Sequence, residues 1–335
     1  MQDKRYKMQD KKQNSDRNSA SNIQYPASSI PLLLLFLLIF CISLMSFSSC
    51  SQSKPLNVQS FPSATSLIAV NHITTIGGFY QPAGIAIDLD GNLCVADSGN
   101  NRIVVGNIDI IGRFGWQVGE FDHPMDIAFD GLRMYIADSG NNRIQRYSIV
   151  ERTFSIIAGE RTDKSENSLG LYSPQGVATD SKGNVFIVDT WNNRILKTDP
   201  LGRLLMELGG LNRFNKPQSA MVDTSGNIYV CDTGNNRICK FDFSGSQIAI
   251  WGGFGRDRGQ FQNPTSIAQD RAKNLYVVDQ GNKRIQAFNK DGVYIGEFGL
   301  DKLKEPYDIV IDNEYRAYVT DMSSSTVEVF KIILP

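Results

Sequence analysis

Six aspartates recur along the 335-residue chain, Asp97, Asp138, Asp189, Asp232, Asp279 and Asp321. An arginine follows five of them at a distance of five residues: Arg102, Arg143, Arg194, Arg237 and Arg284. Carboxylates can activate water or gather round a cation, and a carboxylate beside a guanidinium can equally lock a turn. Repetition decides between these uses. A residue that returns in five or six equivalent places does the same job in each, and that job is scaffolding. An aspartate ahead of a Gly-Asn turn accepts backbone N–H bonds, and the arginine pairs with a nearby carboxylate or carbonyl.

Other chemical signatures are sparse. His72 and His123 are the only histidines, too few for a zinc site of three imidazoles and thin support for histidine acid–base chemistry. Asp88-Leu89-Asp90-Gly91-Asn92 suggests a calcium loop but lacks the bidentate acid, and a hairpin turn accounts for it. Gly253-x-Gly255 does not open a helix, and neither Gly-x-Ser-x-Gly nor His-Glu-x-x-His occurs. No cofactor or metal is expected, and the reading leans away from an enzyme. Charge narrows the partners. Residues 1–65 hold seven basic and three acidic side chains, leaving 27 basic against 32 acidic in 66–335. A net-negative body speaks against phosphate binding as its main role, since non-specific nucleic-acid affinity comes largely from Lys and Arg.

The elements that carry these residues repeat with them. The six aspartates are 41, 51, 43, 47 and 42 residues apart, and each follows a proline: Pro82, Pro124, Pro174, Pro217, Pro264 and Pro306. The proline-to-aspartate distance is 15 residues in five repeats and 14 in the second. So constant a spacing predicts a stiff hairpin, with length variation confined to loops outside it. Each repeat reads as four short strands separated by Gly/Asn turns, about 40 residues in all, the size of one propeller blade. Fourth strands are expected at 114–119, 154–160, 204–210, 249–255 and 294–299. The sixth repeat lacks one, and residues 73–79 are expected to supply it by pairing with 327–333, which closes the ring and removes open sheet edges.

Pro-x-Gly-Ile at one landmark and Asp-Ser-Gly-Asn-Asn-Arg-Ile at the other resemble the NHL repeat over residues 72–335. The resemblance implies an all-β, six-bladed β-propeller of four-stranded antiparallel blades. It implies less about activity, because the family includes protein-binding and RNA-binding propellers, extracellular sensor domains and a zinc-dependent lyase acting on peptidyl hydroxyglycine. The lyase's three zinc imidazoles are absent here, whereas a metal-dependent lactonase or hydrolase built on Asp, Glu and Asn stays open.

If the shared residues are scaffold, the differing ones carry recognition. Loops before the prolines and the Asp-x-x-Asn turns fall on one face in such a blade, so that face is the expected binding rim. Gln175, Gln218 and Tyr307 directly follow prolines there, and Asp126 and Asp308 come one residue later. Trp191 stands where four sister repeats have glycine, a large aromatic at a preferred position for a binding anchor. A protein, peptide or carbohydrate ligand is expected, with nucleic acid disfavoured. The longest insertion, 159–172, lies on the same face.

The N-terminus reads as an address. Residues 1–29 are polar and basic, 30–50 form an apolar signal or anchor segment, and 51–71 form a tether rich in Ser, Pro and Gln. Eighteen residues from Ile30 to Phe47 span roughly 27 Å as a helix, and the preceding basic flank keeps the N-terminus inside and exports the body. Phe47-Ser48-Ser49-Cys50 resembles a bacterial lipoprotein cleavage site, with Cys50 as the lipidated residue. Membrane attachment outside the cytoplasm is therefore expected, through lipid on Cys50 or an uncleaved anchor. Cys94, Cys231 and Cys239 read as buried apolar side chains rather than a disulfide framework.

Overall fold

The computed structural model describes residues 69–106, 109–159, 169–209 and 213–334. The expected signal or anchor segment, Cys50 and nearly all of the tether lie outside them. Among the described residues no helix is long and apolar enough to cross a membrane.

Strands fall into six four-stranded antiparallel sheets, the six expected blades. Their innermost strands are Pro82–Ile87, Pro124–Phe129, Gly176–Thr179, Ser219–Val222, Pro264–Gln269 and Pro306–Ile311. Each blade's second strand ends at its repeat aspartate, and in the first five blades a three-residue 3₁₀ turn leads into the third strand. The turn closes on a residue in the left-handed region, Asn101, Asn142, Asn193, Asn236 or Lys283, with φ between 53° and 56°. Asparagine tolerates that conformation better than other side chains do, which explains the second Asn of the motif.

The sixth blade is closed by the other end of the chain. Strand Ala69–Ile76 pairs with Thr326–Ile333 from Ala69↔Ile333 to Ile76↔Val327. The expected strand therefore begins ahead of Ile73 and ends short of Phe79. A bulge between His72 and Thr74 leaves Ile73 half exposed. One side-chain anchor reinforces the pairing: the Glu328 carboxylate, 6% exposed, contacts His72 Nε2 and accepts the Thr75 hydroxyl, each at 2.7 Å.

The expected fourth strand at 114–119 needs correction. The strand is Asp109–Ile111, and Gly112, at φ +81°, turns the chain away. A side chain at Gly112 would run into the Phe121 ring. Residues 113–121 then fold back as a loop whose carbonyls at Trp116, Gln117 and Glu120 all accept bonds from the Arg143 guanidinium, at 2.6–2.8 Å. Charge-assisted bonds to three carbonyls outweigh the ladder bonds that a strand would have made.

Apolar side chains pack between neighbouring blades, and one seam is thin. Blades 5 and 6 share a large buried cluster that includes Tyr276, Phe298 and Phe330, whereas blades 6 and 1 share only Ile85, Val95 and Val327 as fully buried members. The closing strand adds Val70 to the large cluster and Ile76 to the thin one, beside its ladder and the Glu328 anchor. Replacing Glu328 by Ala strips the buried anchor and should cost about 1–3 kcal/mol. Hydrogen exchange should accelerate first in residues 69–76; unchanged exchange there would show that the anchor does not hold the seam.

Candidate functional site

The repeat aspartates are fully buried, and their oxygens serve the loop that leads into their own blade. Asp97, Asp138, Asp189, Asp232 and Asp279 accept the backbone N–H of Tyr80, Asp122, Tyr172, Asn215 and Gln262 at 2.6–2.8 Å. Asp321 accepts those of Lys304 and Glu305. In the first five blades the second oxygen takes the arginine Nε at 2.6–2.8 Å and the side-chain amide of the first motif Asn. Burial pushes the Asp138 carboxyl up even with these donors beside it. The second motif Asn reaches the next blade: Asn101, Asn142, Asn193 and Asn236 accept the backbone N–H of His123, Ser173, Lys216 and Asn263, the last residue before each following proline. Lys283 cannot accept that bond. These groups fasten strand to loop and blade to blade.

The face built by these loops and turns carries large aromatic side chains. Tyr80, Phe114, Trp116, Tyr172, Trp191 and Phe254 are all exposed on it. Trp191 shows the local cost of its own presence. In the sister turns Gly99, Gly140, Gly234 and Gly281 donate their N–H to the incoming loop at 2.8–2.9 Å. A Cβ at any of these glycines would sit 2.5–2.6 Å from the nearest loop atom. At Trp191 the same bond, to Tyr172, is stretched to 3.3 Å. The indole is 46% exposed, tilted against the Tyr172 ring at 5.8 Å, with Lys216 Nζ 4.3 Å from its centroid. Of this aromatic group the sequence reasoning singled out Trp191 alone; the signal for the others was their place in the loops ahead of the prolines. Within the insertion, 160–168 lie outside the described residues.

The remaining predicted residues are placed at the channel. Tyr307 is not on the open rim: it is 7% exposed, its hydroxyl has no partner, and the Oε1 atoms of Gln175 and Gln218 are likewise sealed and unpartnered. Asp126 accepts the N–H of Ile127 and, from the next blade, Val177. Asp308 accepts the N–H of Ile309 and of Ile85 in the following blade, and the hydroxyl of Ser266 in the preceding one. Gly84, between them in the ring, makes room, because a Cβ there would collide with the Asp126 backbone. Desolvation pushes both carboxyls up, and the Asp308 charge raises Asp126 further. A cavity of about 340 Å³ runs from this pair along the inner strands to Asp223 and Thr224, past the far end of Ser219–Val222. It therefore reaches the face opposite the aromatic one. Among the described residues no three His, Cys, Asp or Glu side chains are placed to hold a metal ion.

A family model for the NHL repeat matches residues 79–105, 171–197 and 214–241. The chain carries NHL repeats and folds as a six-bladed β-propeller. Its repeats are similar to Protein brain tumor of Drosophila melanogaster, 29% identical over 147 residues, or 40% of this chain and 13% of that one. They are also similar to B-box type zinc finger protein ncl-1 of Caenorhabditis elegans, 27% identical over 136 residues, or 39% of this chain and 15% of that one. The match thus spans a small part of either relative. Among solved structures, a streptogramin B lyase aligns with TM-score 0.55 over 81% of this chain and all of its own. Virginiamycin B lyase from Staphylococcus aureus aligns with TM-score 0.56 over 79% of this chain and all of its own. A Bacteroides thetaiotaomicron protein aligns with TM-score 0.58 over 79% of this chain and 76% of its own. Identity is 15% in each, so these likenesses speak for the fold alone.

The carboxyl pair makes this propeller's stability depend on pH in an unusual direction. A carboxyl whose folded pKa is raised stabilises the fold below its unfolded pKa, near 4, and that contribution is lost as pH rises through the folded value, about 6 for Asp308. Unfolding free energy should fall by on the order of 2 kcal/mol between pH 4 and 7, and Asp126→Asn should flatten the decline. A wild-type profile that is flat or rising over that window would contradict the shared burial of the two acids.

Proposed function

We propose that this NHL propeller is an interaction module that docks a polypeptide on the face of the Asn turns, with Trp191 as an anchor. The observation that carries the reading is the placement of six exposed aromatic side chains on one end of a rigid ring. Aromatic side chains dominate the energetics of protein interfaces, and isolated exposed ones scattered over a surface would mean little. Trp191 strengthens the argument. It occupies a glycine position and stretches a bond that its sisters keep short, while nearly half of it stays exposed, which supports a role in recognition.

Placement of the module belongs to the same proposal. The basic flank, the apolar run from Ile30 to Phe47 and the Cys50 motif support an extracytoplasmic propeller held at the membrane by a lipid or an anchor.

A second reading rests on a separate observation. Exposed cations, among them Lys216, Arg256, Lys283, Lys302 and Lys304, stand among the aromatics although the body as a whole is acidic. Aromatics interleaved with cations are what sequence-tolerant binding of single-stranded nucleic acid uses.

One substitution separates anchor from scaffold. Trp191→Gly restores the sister turn, so its melting midpoint should stay within about 2 °C of wild type or rise. Full-length protein in detergent, immobilised and exposed to the proteome of its source cell, should retain a polypeptide that Trp191→Gly releases. Equal retention by both would remove Trp191 from recognition. Retention of single-stranded RNA that weakens steeply with salt would favour the second reading.

A further inference from the structure

Two loops on the aromatic face are copies of each other. Residues 114–121 and 254–261 both read Phe-Gly-x-x-x-Gly-x-Phe, and in each the two phenylalanines are joined by a parallel bridge. The second ring, Phe121 or Phe261, is fully buried, while the first, Phe114 or Phe254, is exposed. The same side chains fasten both. Gly119 and Gly259 donate their N–H to the buried Gln145 and Gln286 at 2.9 Å, and the Gly115 and Gly255 carbonyls accept the amides of Asn141 and Asn282 at 2.8 Å. Backbone groups thus hold the loops, and the side chains at their tips are free of structural duty. The loops lead into blades 2 and 5, three apart in a ring of six, so they stand on opposite sides of the mouth.

Their tips differ in chemistry. Trp116 and Val118 of the first loop are exposed, and the matching positions of the second are Arg256 and Arg258. Arg258 lies against the Tyr294 ring at 5.4 Å, whereas exposed Arg256 has no Asp or Glu salt-bridge partner among the described residues. The rim between the loops grades from one character to the other. From blade 2 onward come Trp116, then Tyr172 and Trp191, then Lys216 with its Nζ 4.3 Å from the Trp191 centroid, then Arg256. Lys283, Lys302 and Lys304 extend the cationic side, where Asp257, Asp301 and Glu305 are the exposed acids in the described loops and turns, three against six. On the aromatic side the exposed Arg113 is already paired with Glu120 at 2.9 Å.

Segregation of this kind selects the partner. A nucleic acid carries a phosphate at every nucleotide and would leave some beside the aromatic half, where Arg113 is already paired. A polypeptide can confine its charge to one end. We propose, on the footing of the interaction face described above, that its partner is an extended peptide segment with an apolar end and an acidic end. The apolar end lies at Trp116 and Trp191, and the acidic end lies at Lys216 and Arg256. Exposed aromatic anchors supply most of the hold in such a contact, and the charges set its direction and its choice of partner.

Panning of a random phage-displayed library of about 16-residue peptides, roughly 50 Å when extended, on the immobilised full-length chain in detergent tests the assignment. Enriched peptides should carry aromatic or aliphatic residues in one half and Asp or Glu in the other. The double variant Lys216→Glu with Arg256→Glu should enrich Lys or Arg in that second half instead. A peptide selected on wild type and then synthesised should bind the double variant at least tenfold more weakly, and Trp116→Ala several-fold more weakly. Peptides that need Trp191 but show no preference in charge would leave the face as a docking site and overturn the acidic partner. An acidic preference that persists in the double variant, or full affinity in Trp116→Ala, would overturn it as well. No enrichment on wild type would overturn both the partner and the face. Retention of a uridine oligonucleotide in preference to every peptide, lost in the double variant, would replace the peptide with a nucleic acid.

Discussion

The ring exists because one strand from the start of the propeller lies against the last strand of the chain. Ala69–Ile76 completes a blade that would otherwise end in an open edge, and an open edge on a sheet is a template for association with other chains. Closure also fixes the channel. Asp308 reaches forward to Ile85 and back to Ser266, so the carboxyl pair spans the seam that the closing strand seals. If that seam opened, blades 6 and 1 would part and the pair would lose its geometry. The geometry at both ends of the ring therefore depends on this pairing, held by a backbone ladder and one buried glutamate.

Within the closed ring, the repeated signature does two mechanical jobs at once. The buried aspartate holds the incoming loop of its own blade, and the second asparagine holds the backbone just ahead of the next proline. Strand and loop are thus fixed relative to each other six times around, and the last residue before the proline is kept at positive φ at Gln81, His123, Ser173, Lys216 and Asn263. With the backbone this constrained, side chains on the loops can vary without moving the scaffold. That is how Trp191 can replace a glycine: the surrounding network absorbs a hydrogen bond stretched to 3.3 Å instead of the turn rearranging.

Much of this architecture was legible in the sequence, because its signals are local and repeated. The constant proline-to-aspartate interval reflects a hairpin whose two ends touch, as Tyr80 N–H and Asp97 show, and the deficit of one strand in the last repeat reflects closure. Two things were not legible. The strand expected at 114–119 is a loop because Arg143 collects its carbonyls, a contact set by three-dimensional proximity that no alternation of side chains reveals. Tyr307 follows a proline just as Gln175 does, yet its side chain is buried, since position in the repeat sets where the backbone goes and not how far a ring reaches inward. The aromatic face was only partly visible for the same reason: its members sit in loops of unequal length, so no single motif column contains them.

The two ends of the channel are built to different rules, and the strand direction explains why. Every innermost strand starts at the proline-and-asparagine face, where left-handed backbone and inter-blade bonds demand fixed residues, and runs toward turns that open with an aspartate, four of which bind backbone two and four residues on. Six turns opened by aspartates place six carboxylates at the far end of the ring. The opposite face must spend its fixed residues inside, so its outward positions are free to become aromatic or basic. Opposite chemical character at the two ends thus follows from one meander repeated in one direction.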